Sequence, residues 1–351
     1  VIATGMHLSP EFGLTYREIE KDGIRIDRKV EIILSGDTPS AISKSVGLAM
    51  IGFADALKEL QPHIIIVLGD RFEIIAAAFA SAIARIPVAH ISGGETTLGA
   101  LDEFIRHSIT KMAWWHFVAA EEYQKRVVQL GENPKQVFVT GGMGVDCIKK
   151  TKLLGKAELE KELGFKFGLK NLLITFHPVT LERETSGKHC SELLDALETL
   201  ENTHLIFTEP NADADSRVIQ SLLVKFVKNY KGKAICFKSM GRINYLSSMQ
   251  FVDAVVGNSS SGLAEAPSFK IGSINIGDRQ LGRLKAVSVI DCKPSRISIL
   301  KAIQTLYSKK YQEKLQKVIN PYGDGTATEK ILDVLRSSSV PEQLKKVFYD
   351  L

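Results

Sequence analysis

The chain has 351 residues, of which 44% are hydrophobic and 24% are charged, and its formal net charge is +5 at pH 7. This length suits two domains of ordinary size, and the composition is that of a globular protein. The lysines and arginines are scattered along the chain, so we expect no nucleic-acid partner. No apolar run approaches the roughly 20 residues that a membrane span needs, and no signal-peptide pattern is visible, so we expect no membrane partner.

Four cysteines stand far apart in the sequence, at positions 147, 190, 236 and 292. They form no CxxC pair and no Cys/His spacing, which argues against a structural zinc site and against a disulfide framework. We therefore expect no metal site, and we expect the cytoplasm as the compartment.

Strand-like and helix-like segments alternate along the chain. The first residues, VIATG, resemble the end of a strand already inside a sheet, so we expect an earlier strand and helix to precede them. In the first half, strands are predicted at 63–70, 87–92, 115–120 and 136–141, with helices at 72–86, 101–113 and 121–131. In the second half, strands are predicted at 171–177, 203–210, 234–239, 254–258 and 272–277, with a helix through 190–200.

This alternation predicts parallel sheets covered by helices. A Lys-rich helical stretch near 156–164 separates the two halves, so we expect two doubly wound α/β domains, 1–167 and 168–330, facing each other. Polar residues follow the predicted strands, and in open parallel sheets ligands bind beyond the carboxyl ends of the strands. Because both halves contribute such strand ends, we expect one site in the cleft between the domains.

The stretch VVGNSSSGLAEAPSF (255–269) joins a buried strand to the start of a helix through three serines and Gly262. One serine is enough to cap a helix, so capping alone is the simpler alternative. Hydroxyl groups added to the unpaired amides of a helix start also make an anion pocket, and the number of serines favours phosphate binding. Glu265 follows one turn later, either as an ordinary first-turn acid or within reach of ribose hydroxyls.

The other polar strand ends each allow two interpretations. Asp70 either caps the next helix or serves the site, and Glu95, which follows two glycines in HISGGETT, is either a solvated loop residue or an aimed acid. Asp102 either pairs with Arg106 four residues later on the same helix face or takes part in chemistry. His177 either caps a strand end structurally or faces the ligand.

Four segments together resemble the hydrolysing UDP-N-acetylglucosamine 2-epimerases of sialic acid and related nonulosonic acid synthesis. They are LGDRFEIIAAAFASAIARIPVAHISGGETTLGALDEFIRHSITKMA (68–113), TFHPVT (175–180), SMGRINYLSSMQFVDAVVGNSSSGLAEAPSF (239–269) and GDRQLGR (277–283). The resemblance implies two Rossmann-like domains in a glycosyltransferase-B arrangement, with a C-terminal helix at 331–351 that packs back on the first domain. It also implies a UDP-sugar substrate, UDP as product, no metal or other cofactor, and a homodimer or homotetramer.

The resemblance also assigns roles to individual residues. The implied catalytic residues are Asp70, Asp102 and His177, and we add Glu95 as a catalytic candidate because of its position after the two glycines. The implied UDP-binding residues are Arg71 and Arg279 near the phosphates, Asn211 and Met240 at the uridine, Ser259, Ser260 and Gly262 at the diphosphate, and Glu265 at the ribose.

Two departures from the family pattern matter. Many relatives read HIEGGE where this chain reads HISGGE, so Ser92 stands in place of a carboxylate, and we expect Glu95 to take over its work. The family also begins with a strand and a loop like TGTRADYG, whose arginine approaches the phosphates, and this sequence does not include it.

The implied reaction converts UDP-N-acetylglucosamine to N-acetylmannosamine and UDP by elimination followed by hydration. One alternative is the same reaction on UDP-2,4-diacetamido-2,4,6-trideoxyglucose. A UDP-sugar glycosyltransferase and a non-catalytic UDP-sugar sensor are the two others. A transferase would need an acceptor groove, whereas a sensor would leave the UDP-sugar intact.

Overall fold

The structure, a computed structural model, describes residues 1–34, 36, 38–97, 101–179, 185–211, 215–230 and 232–351. The chain divides into two compact units, and the second consists mainly of Cys147–Pro321. The first contains Val1–Thr97, Leu101–Asp146 and Tyr322–Leu351. The first division therefore falls after residue 146 and not after residue 167, because the helix near 160 buries Leu159 and Leu163 in the core of the second unit.

The first unit is built from parallel strands. Its two sheets are the pair β1 (Ile2–Thr4) and β2 (Arg28–Val30) and the ordered row β3 (Ile65–Leu68), β4 (Val88–Ile91), β5 (Trp115–Val118) and β6 (Val137–Val139). Its first helices are α1 (Tyr16–Lys21), α2 (Pro39–Leu60), α3 (Phe72–Ile83), α4 (Asp102–Met112) and α5 (Glu121–Gln129), and α6 (Met143–Lys150) spans the division between the units. Short 3-10 turns lie at Gly5–Leu8, Pro10–Phe12 and Pro134–Gln136. The strands predicted between 63 and 141 are thus confirmed.

Helix α2 is the one described helix that is long and apolar enough to cross a membrane by length and composition. It is therefore an exception to the expectation that no such segment exists. In the structure one face of α2, which carries Ala49, Phe53 and Leu57, is buried with Val67 in the core of the first unit. This one-sided burial is the pattern of an amphipathic core helix.

The second unit contains a six-stranded parallel sheet. Its strands are β7 (Lys170–Thr175), β8 (Thr203–Thr208), β9 (Ala234–Phe237), β10 (Ala254–Gly257), β11 (Gly272–Ile276) and β12 (Val289–Cys292). Its helices are α7 (Lys156–Leu163), α8 (Ser186–Leu197), α9 (Ser216–Asn229), α10 (Gly241–Ser248), α11 (Ser261–Ala264), α12 (Arg296–Leu306) and α13 (Lys309–Leu315), with a 3-10 turn at Ala266–Phe269.

The strand order in this sheet is β9-β8-β7-β10-β11-β12. This is the doubly wound order, and it reverses direction between β7 and β10, which is where such sheets bind ligands. Gly257 ends β10 directly opposite Thr175 of β7. Its φ is +136°, and a Cβ there would lie 1.9 Å from the Thr175 carbonyl oxygen, so only glycine fits at this point.

The last helix, α14 (Ala327–Ser337), differs from the predicted helix at 331–351. It begins earlier, where the main-chain N–H and the hydroxyl of Thr328 both donate to the carboxylate of Asp146 in the first unit. It ends at Ser337 because the following residue is extended, with ψ of 134°, and Pro341 soon follows. The predicted bounds are therefore wrong, and the tail beyond 337 is not helical.

The C-terminal tail after Ser337 is held by an ion pair between Lys346 and the buried carboxylate of Glu132. The carboxylate of Glu132, which is 1% exposed, accepts hydrogen bonds from His116 at 2.9 Å, Lys111 at 2.7 Å and Lys346 at 2.5 Å. Burial opposes its ionisation, but these three donors lower the pKa of Glu132 to about 2. Lys346 also donates to the carbonyls of Lys111 and Ala113, so the tail caps the carboxyl end of α4.

Candidate active site

In the first unit, a buried arginine joins the predicted acids. The guanidinium of Arg106 is fully buried and donates twice to Oδ2 of Asp70, through Nε at 2.8 Å and through a still shorter bond. It also donates to the Glu95 carbonyl at 2.8 Å, to Glu103 at 3.0 Å and to the Thr97 hydroxyl at 2.8 Å. One side chain thus fixes the residues after β3, the loop after β4 and the first turn of α4.

The pairing of Arg106 corrects one sequence alternative. The arginine pairs with Asp70 and Glu103, so an ion pair between Asp102 and Arg106 within the helix is wrong. Asp102 is the first residue of α4 and is half-buried. Arg71, the residue after Asp70, lies with its Nε 3.8 Å from the carboxylate of Glu73.

Glu103 was not among the predicted site residues, yet it anchors the loop. It accepts a hydrogen bond from the Thr97 main-chain N–H at 2.5 Å and pairs with His107 at 3.1 Å. Burial raises its pKa, but the hydrogen bonds from His107 and Thr97 and the charge of Arg106 outweigh this and lower the pKa to about 2. Glu103 is therefore a fixed negative charge beside the arginine at neutral pH.

The residues from Ser92 to Glu95 form a tight turn held by main-chain contacts. Ser92 has a φ of +69°, unusual for a residue other than glycine, and its N–H donates to the Phe117 carbonyl at 2.9 Å. Gly94 has a φ of +75°, and a Cβ there would lie 2.4 Å from the Tyr123 carbonyl oxygen. Glu95 itself is 6% exposed. The two glycines therefore allow a tight turn that orients Glu95 at the end of β4.

A neutral histidine supports the turn before Asp70. His90 is fully buried and its Nε2 lies 2.9 Å from the Gly69 carbonyl oxygen, to which it donates. Burial lowers the pKa of His90 to about 4, and the bond to Gly69 only partly opposes this. Its other ring nitrogen lies 3.4 Å from the Thr110 hydroxyl.

The buried histidines predict that the first unit loses stability in acid. An unfolded histidine binds a proton near pH 6.5, whereas folded His90 stays neutral down to about 4 and the pKa of His116 is also lowered by burial. The unfolded state therefore binds more protons in this window, so the free energy of unfolding falls as the pH falls. Urea unfolding at about pH 7 and about pH 5 measures this, followed by the fluorescence of Trp114 and Trp115, since both tryptophans lie in the first unit. His90→Gln should flatten the dependence, and equal stability at both pH values would contradict the neutral assignment.

In the second unit, the point where the strand order reverses is bridged by an asparagine. Asn258, fully buried after β10, accepts from the His177 N–H at 2.7 Å and donates to the His177 carbonyl at 2.8 Å. The N–H of Asn211 donates to Nδ1 of His177 at 3.2 Å. Because Nδ1 accepts this bond, a neutral His177 carries its proton on Nε2.

Arg279 belongs to the same group. It is 7% exposed, and it donates to the Asn258 carbonyl at 3.2 Å, where Gln280 also donates at 2.9 Å. A buried guanidinium beside a serine-rich turn is a strong candidate to bind phosphate.

The serine turn differs from its prediction in one respect. Helix α11 has only four residues, since Pro267 has no N–H to continue it, so a long helix dipole does not contribute here. Ser259 and Ser260 are half-buried, and the Ser259 hydroxyl accepts from the Ser261 N–H at 3.4 Å. Gly262 allows close packing, since a Cβ there would lie 2.5 Å from the Ser273 hydroxyl. The groups that this turn offers to an anion are hydroxyls, turn amides and the guanidinium of Arg279.

Met240 lies differently from its implied role. It precedes α10 and is 6% exposed, and its side chain packs in the core with Leu246 and Met249. Its thioether serves packing, so only its main chain is available at the end of β9.

In the first unit Arg106 joins Asp70 to Glu95, and in the second unit Asn258 joins His177 to Arg279, with Asn211 bonded to His177. Sequence reasoning missed the residues that hold these groups together, namely Arg106, Glu103, Asn258, Gln280, Ser261 and Tyr245, whose hydroxyl donates to Ser261 at 2.9 Å. Asn258 carried a signal, because it stands between the apolar strand and the serines. Within the described ranges, no cluster of three or more His, Cys, Asp or Glu side chains with metal-binding geometry is found.

The sequence profile of the UDP-N-acetylglucosamine 2-epimerases matches residues 1–336. The chain belongs to this family. A relative from Campylobacter jejuni, named GDP/UDP-N,N'-diacetylbacillosamine 2-epimerase (hydrolyzing), is 43% identical over all of this chain and 91% of its own length. The polysialic acid biosynthesis protein P7 of Escherichia coli is 39% identical over 91% of this chain and 81% of its own length.

Solved structures extend the family likeness to the fold. The UDP-GlcNAc 2-epimerase from Neisseria meningitidis, solved with UDP-GlcNAc bound, matches with a TM-score of 0.76 at 18% identity, covering 96% of this chain and 99% of that one. This likeness confirms the predicted fold class, two Rossmann-like domains of the glycosyltransferase-B type. The family resemblance inferred from the sequence motifs is likewise confirmed by the profile match.

Proposed function

We propose that this epimerase family member is a hydrolysing 2-epimerase that releases UDP and a 2-epimerised amino sugar from a UDP-sugar. Its family membership and the name of the 43% identical Campylobacter relative support this. That name also favours UDP-2,4-diacetamido-2,4,6-trideoxyglucose, which is UDP-N,N'-diacetylbacillosamine, as substrate. UDP-N-acetylglucosamine is the second candidate, because it is the ligand in the Neisseria structure and gives the family its name.

The reaction has two balanced stages. In the first, a base removes the proton at C2 while the C1–O bond breaks and UDP leaves with the electron pair, so a glycal forms. In the second, water adds its oxygen at C1, and a proton is delivered to C2 on the face opposite to the one it left. Both stages need positioned acids and bases, and the first also needs stabilisation of the leaving diphosphate.

The acid and base work is assigned to the first unit and to His177. The observation that carries the proposal is the fixed group in which Arg106 holds both the Asp70 carboxylate and the Glu95 main chain. Asp70, Glu95 and Asp102 are the proposed acids and bases, and His177 is a donor through Nε2. A buried arginine bonded to two carboxylate-bearing segments gives the fixed geometry that a proton-transfer site requires.

The diphosphate is assigned to the second unit. Ser259, Ser260 and Gly262 form the proposed phosphate turn, supported by Arg279, with Arg71 as a further proposed cation. Asn211 and the main chain of Met240 are proposed at the uridine, and Glu265 at the ribose.

Removing both hydroxyls of the turn should weaken UDP binding. The double variant Ser259→Ala and Ser260→Ala is expected to lose about 1–3 kcal/mol of binding free energy, the range for hydrogen bonds to a charged group. Isothermal titration with UDP measures it. Ser221→Ala is the matched control, since that hydroxyl only donates to the Arg217 carbonyl on α9. Unchanged affinity in the double variant would contradict the phosphate assignment.

The proposed reaction and its substrate are tested with the two UDP-sugars side by side. We expect release of free sugar and UDP from at least one of them, with the higher kcat/KM for the diacetamido sugar. Activity should survive EDTA, since the proposal uses no metal. If neither sugar is consumed, the proposed reaction is wrong. If EDTA abolishes activity and only a divalent ion restores it, the metal-free mechanism is wrong.

The resemblance supports a homodimer or homotetramer and the cysteine pattern supports the cytoplasm, and we keep both as proposals. Light scattering of the purified protein tests the first, and cell fractionation tests the second.

A further inference from the structure

The three serines of the turn do not have the same surroundings. The hydroxyl of Ser261 donates to Oε2 of Glu265 at 2.5 Å and accepts from the Tyr245 hydroxyl at 2.9 Å. A hydroxyl has a single proton, and that of Ser261 is used by Glu265. Only Ser259 and Ser260 therefore offer hydroxyl protons to a phosphate.

The direction of this chain of hydrogen bonds is fixed at the carboxylate. An ionised carboxylate only accepts, so the single proton of the Ser261 hydroxyl goes to Glu265, and Ser261 must accept from Tyr245 on α10. Burial together with the nearby Glu265 raises the pKa of Tyr245, which keeps that donor protonated. Bonds that run in one direction polarise one another, which favours the ordered arrangement.

Glu265 is held through one oxygen only. It is half-buried at the end of α11, and burial raises its pKa while the bond from Ser261 opposes this. Its Oε2 accepts from Ser261, and within the part of the chain that the structure describes no side chain or main-chain group donates to Oε1. A carboxylate with one anchored oxygen and one open acceptor is ready to accept a hydroxyl from a ligand.

We propose that Tyr245 and Ser261 are positioning residues that hold Glu265 in the rotamer in which its second oxygen binds a ribose hydroxyl of the nucleotide. This deepens the proposed function and rests on it. The ordered carboxylate then distinguishes ribonucleotides from deoxyribonucleotides, because a fixed acceptor left without its hydroxyl partner costs binding energy. The third serine of the turn thus acts on the sugar of the nucleotide, and the other two act on its phosphates.

The test compares the dissociation constants of UDP, 2′-deoxy-UDP and 3′-deoxy-UDP by isothermal titration. The measured quantity is the larger of the two ratios of deoxy-UDP to UDP dissociation constants. For the unmodified protein we expect a ratio of about ten or more, the effect of one hydrogen bond to a charged group. Glu265→Ala should bring the ratio close to one.

Tyr245→Phe and Ser261→Ala should each lower the ratio severalfold, whereas Ser261→Thr keeps a hydroxyl and should retain it. Tyr307→Phe is the matched control, since it also removes a tyrosine bond to a carboxylate in the second unit, that of Asp253, at 3.1 Å. It should leave the ratio unchanged.

The outcomes distinguish the positioning role of Tyr245 and Ser261 from the assignment of Glu265 to the ribose. If Glu265→Ala abolishes discrimination but Tyr245→Phe and Ser261→Ala keep the ratio of the unmodified protein, the positioning role is wrong and the ribose assignment stands. If Glu265→Ala keeps the ratio, or the unmodified protein does not discriminate, the ribose assignment of the proposed function fails and this inference fails with it.

Discussion

Replacing Asp70 by asparagine is expected to lower turnover by about 10²-fold or more, the usual scale for loss of a general acid or base. Both bonds from Arg106 end on Oδ2 of Asp70, and the amide oxygen of asparagine can still accept them. The fold and the arginine should therefore survive, and the change removes the group that takes or gives a proton. Initial rates with both UDP-sugars measure the effect.

Two controls make this result specific to catalysis. UDP affinity of the Asp70→Asn variant should match that of the unmodified protein, because the change keeps Arg71, and the other proposed phosphate and ribose contacts lie in the second unit. The fluorescence of Trp114 and Trp115 should also be unchanged, since both report on the unit that contains Asp70. Turnover within about threefold of the unmodified protein would remove Asp70 from the list of acids and bases.

Glu95→Gln should also lower turnover by about 10²-fold or more, while Ser92→Ala should have a mild effect. The turn between these residues is fixed by the Ser92 N–H, by the left-handed Gly94 and by the bond from Arg106 to the Glu95 carbonyl. Since these contacts use the main chain, the glutamine variant keeps them. A serine hydroxyl is a poor base near neutral pH, so Ser92 cannot supply the work of a carboxylate.

Comparing the two variants on both UDP-sugars decides between two roles for this turn. Loss of turnover in Glu95→Gln on both sugars supports a catalytic carboxylate. Near-normal turnover in Glu95→Gln, with Asp70→Asn inactive, means that Glu95 only shapes the loop. A change of sugar preference in Ser92→Ala would assign Ser92 to substrate choice.

Much of the fold could be predicted from local patterns. The strands β3 to β11 are short and apolar, and their alternation with helices gives parallel sheets. Helix α2 is absent from the predictions, although Thr38 caps it and Pro39 starts it, because its apolar face is less regular than the strand runs around it. The C-terminal helix was predicted too long, since the polar run after Ser337 gives no sharp signal to stop before Pro341.

The positions of those site residues that directly follow a strand could be predicted from the sequence. His177 and the serine turn follow strands that lie side by side, so their meeting follows from the parallel sheet. Arg106 was not predictable, because its partner Asp70 is 36 residues away and the closer Asp102 fits the helical spacing for a pair. Met240 looked like a loop residue in SMG, but the start of α10 turns its side chain into the core.

The most direct test of the central claim is incubation of each UDP-sugar with the protein in deuterated water, followed by NMR of the released sugar. Elimination and hydration predict free sugar in the manno configuration with deuterium at C2, together with free UDP. Released sugar that keeps the gluco configuration and its original hydrogen at C2 would indicate simple hydrolysis and would contradict the account. An unchanged UDP-sugar would also contradict the account, because the protein would then bind the UDP-sugar without converting it.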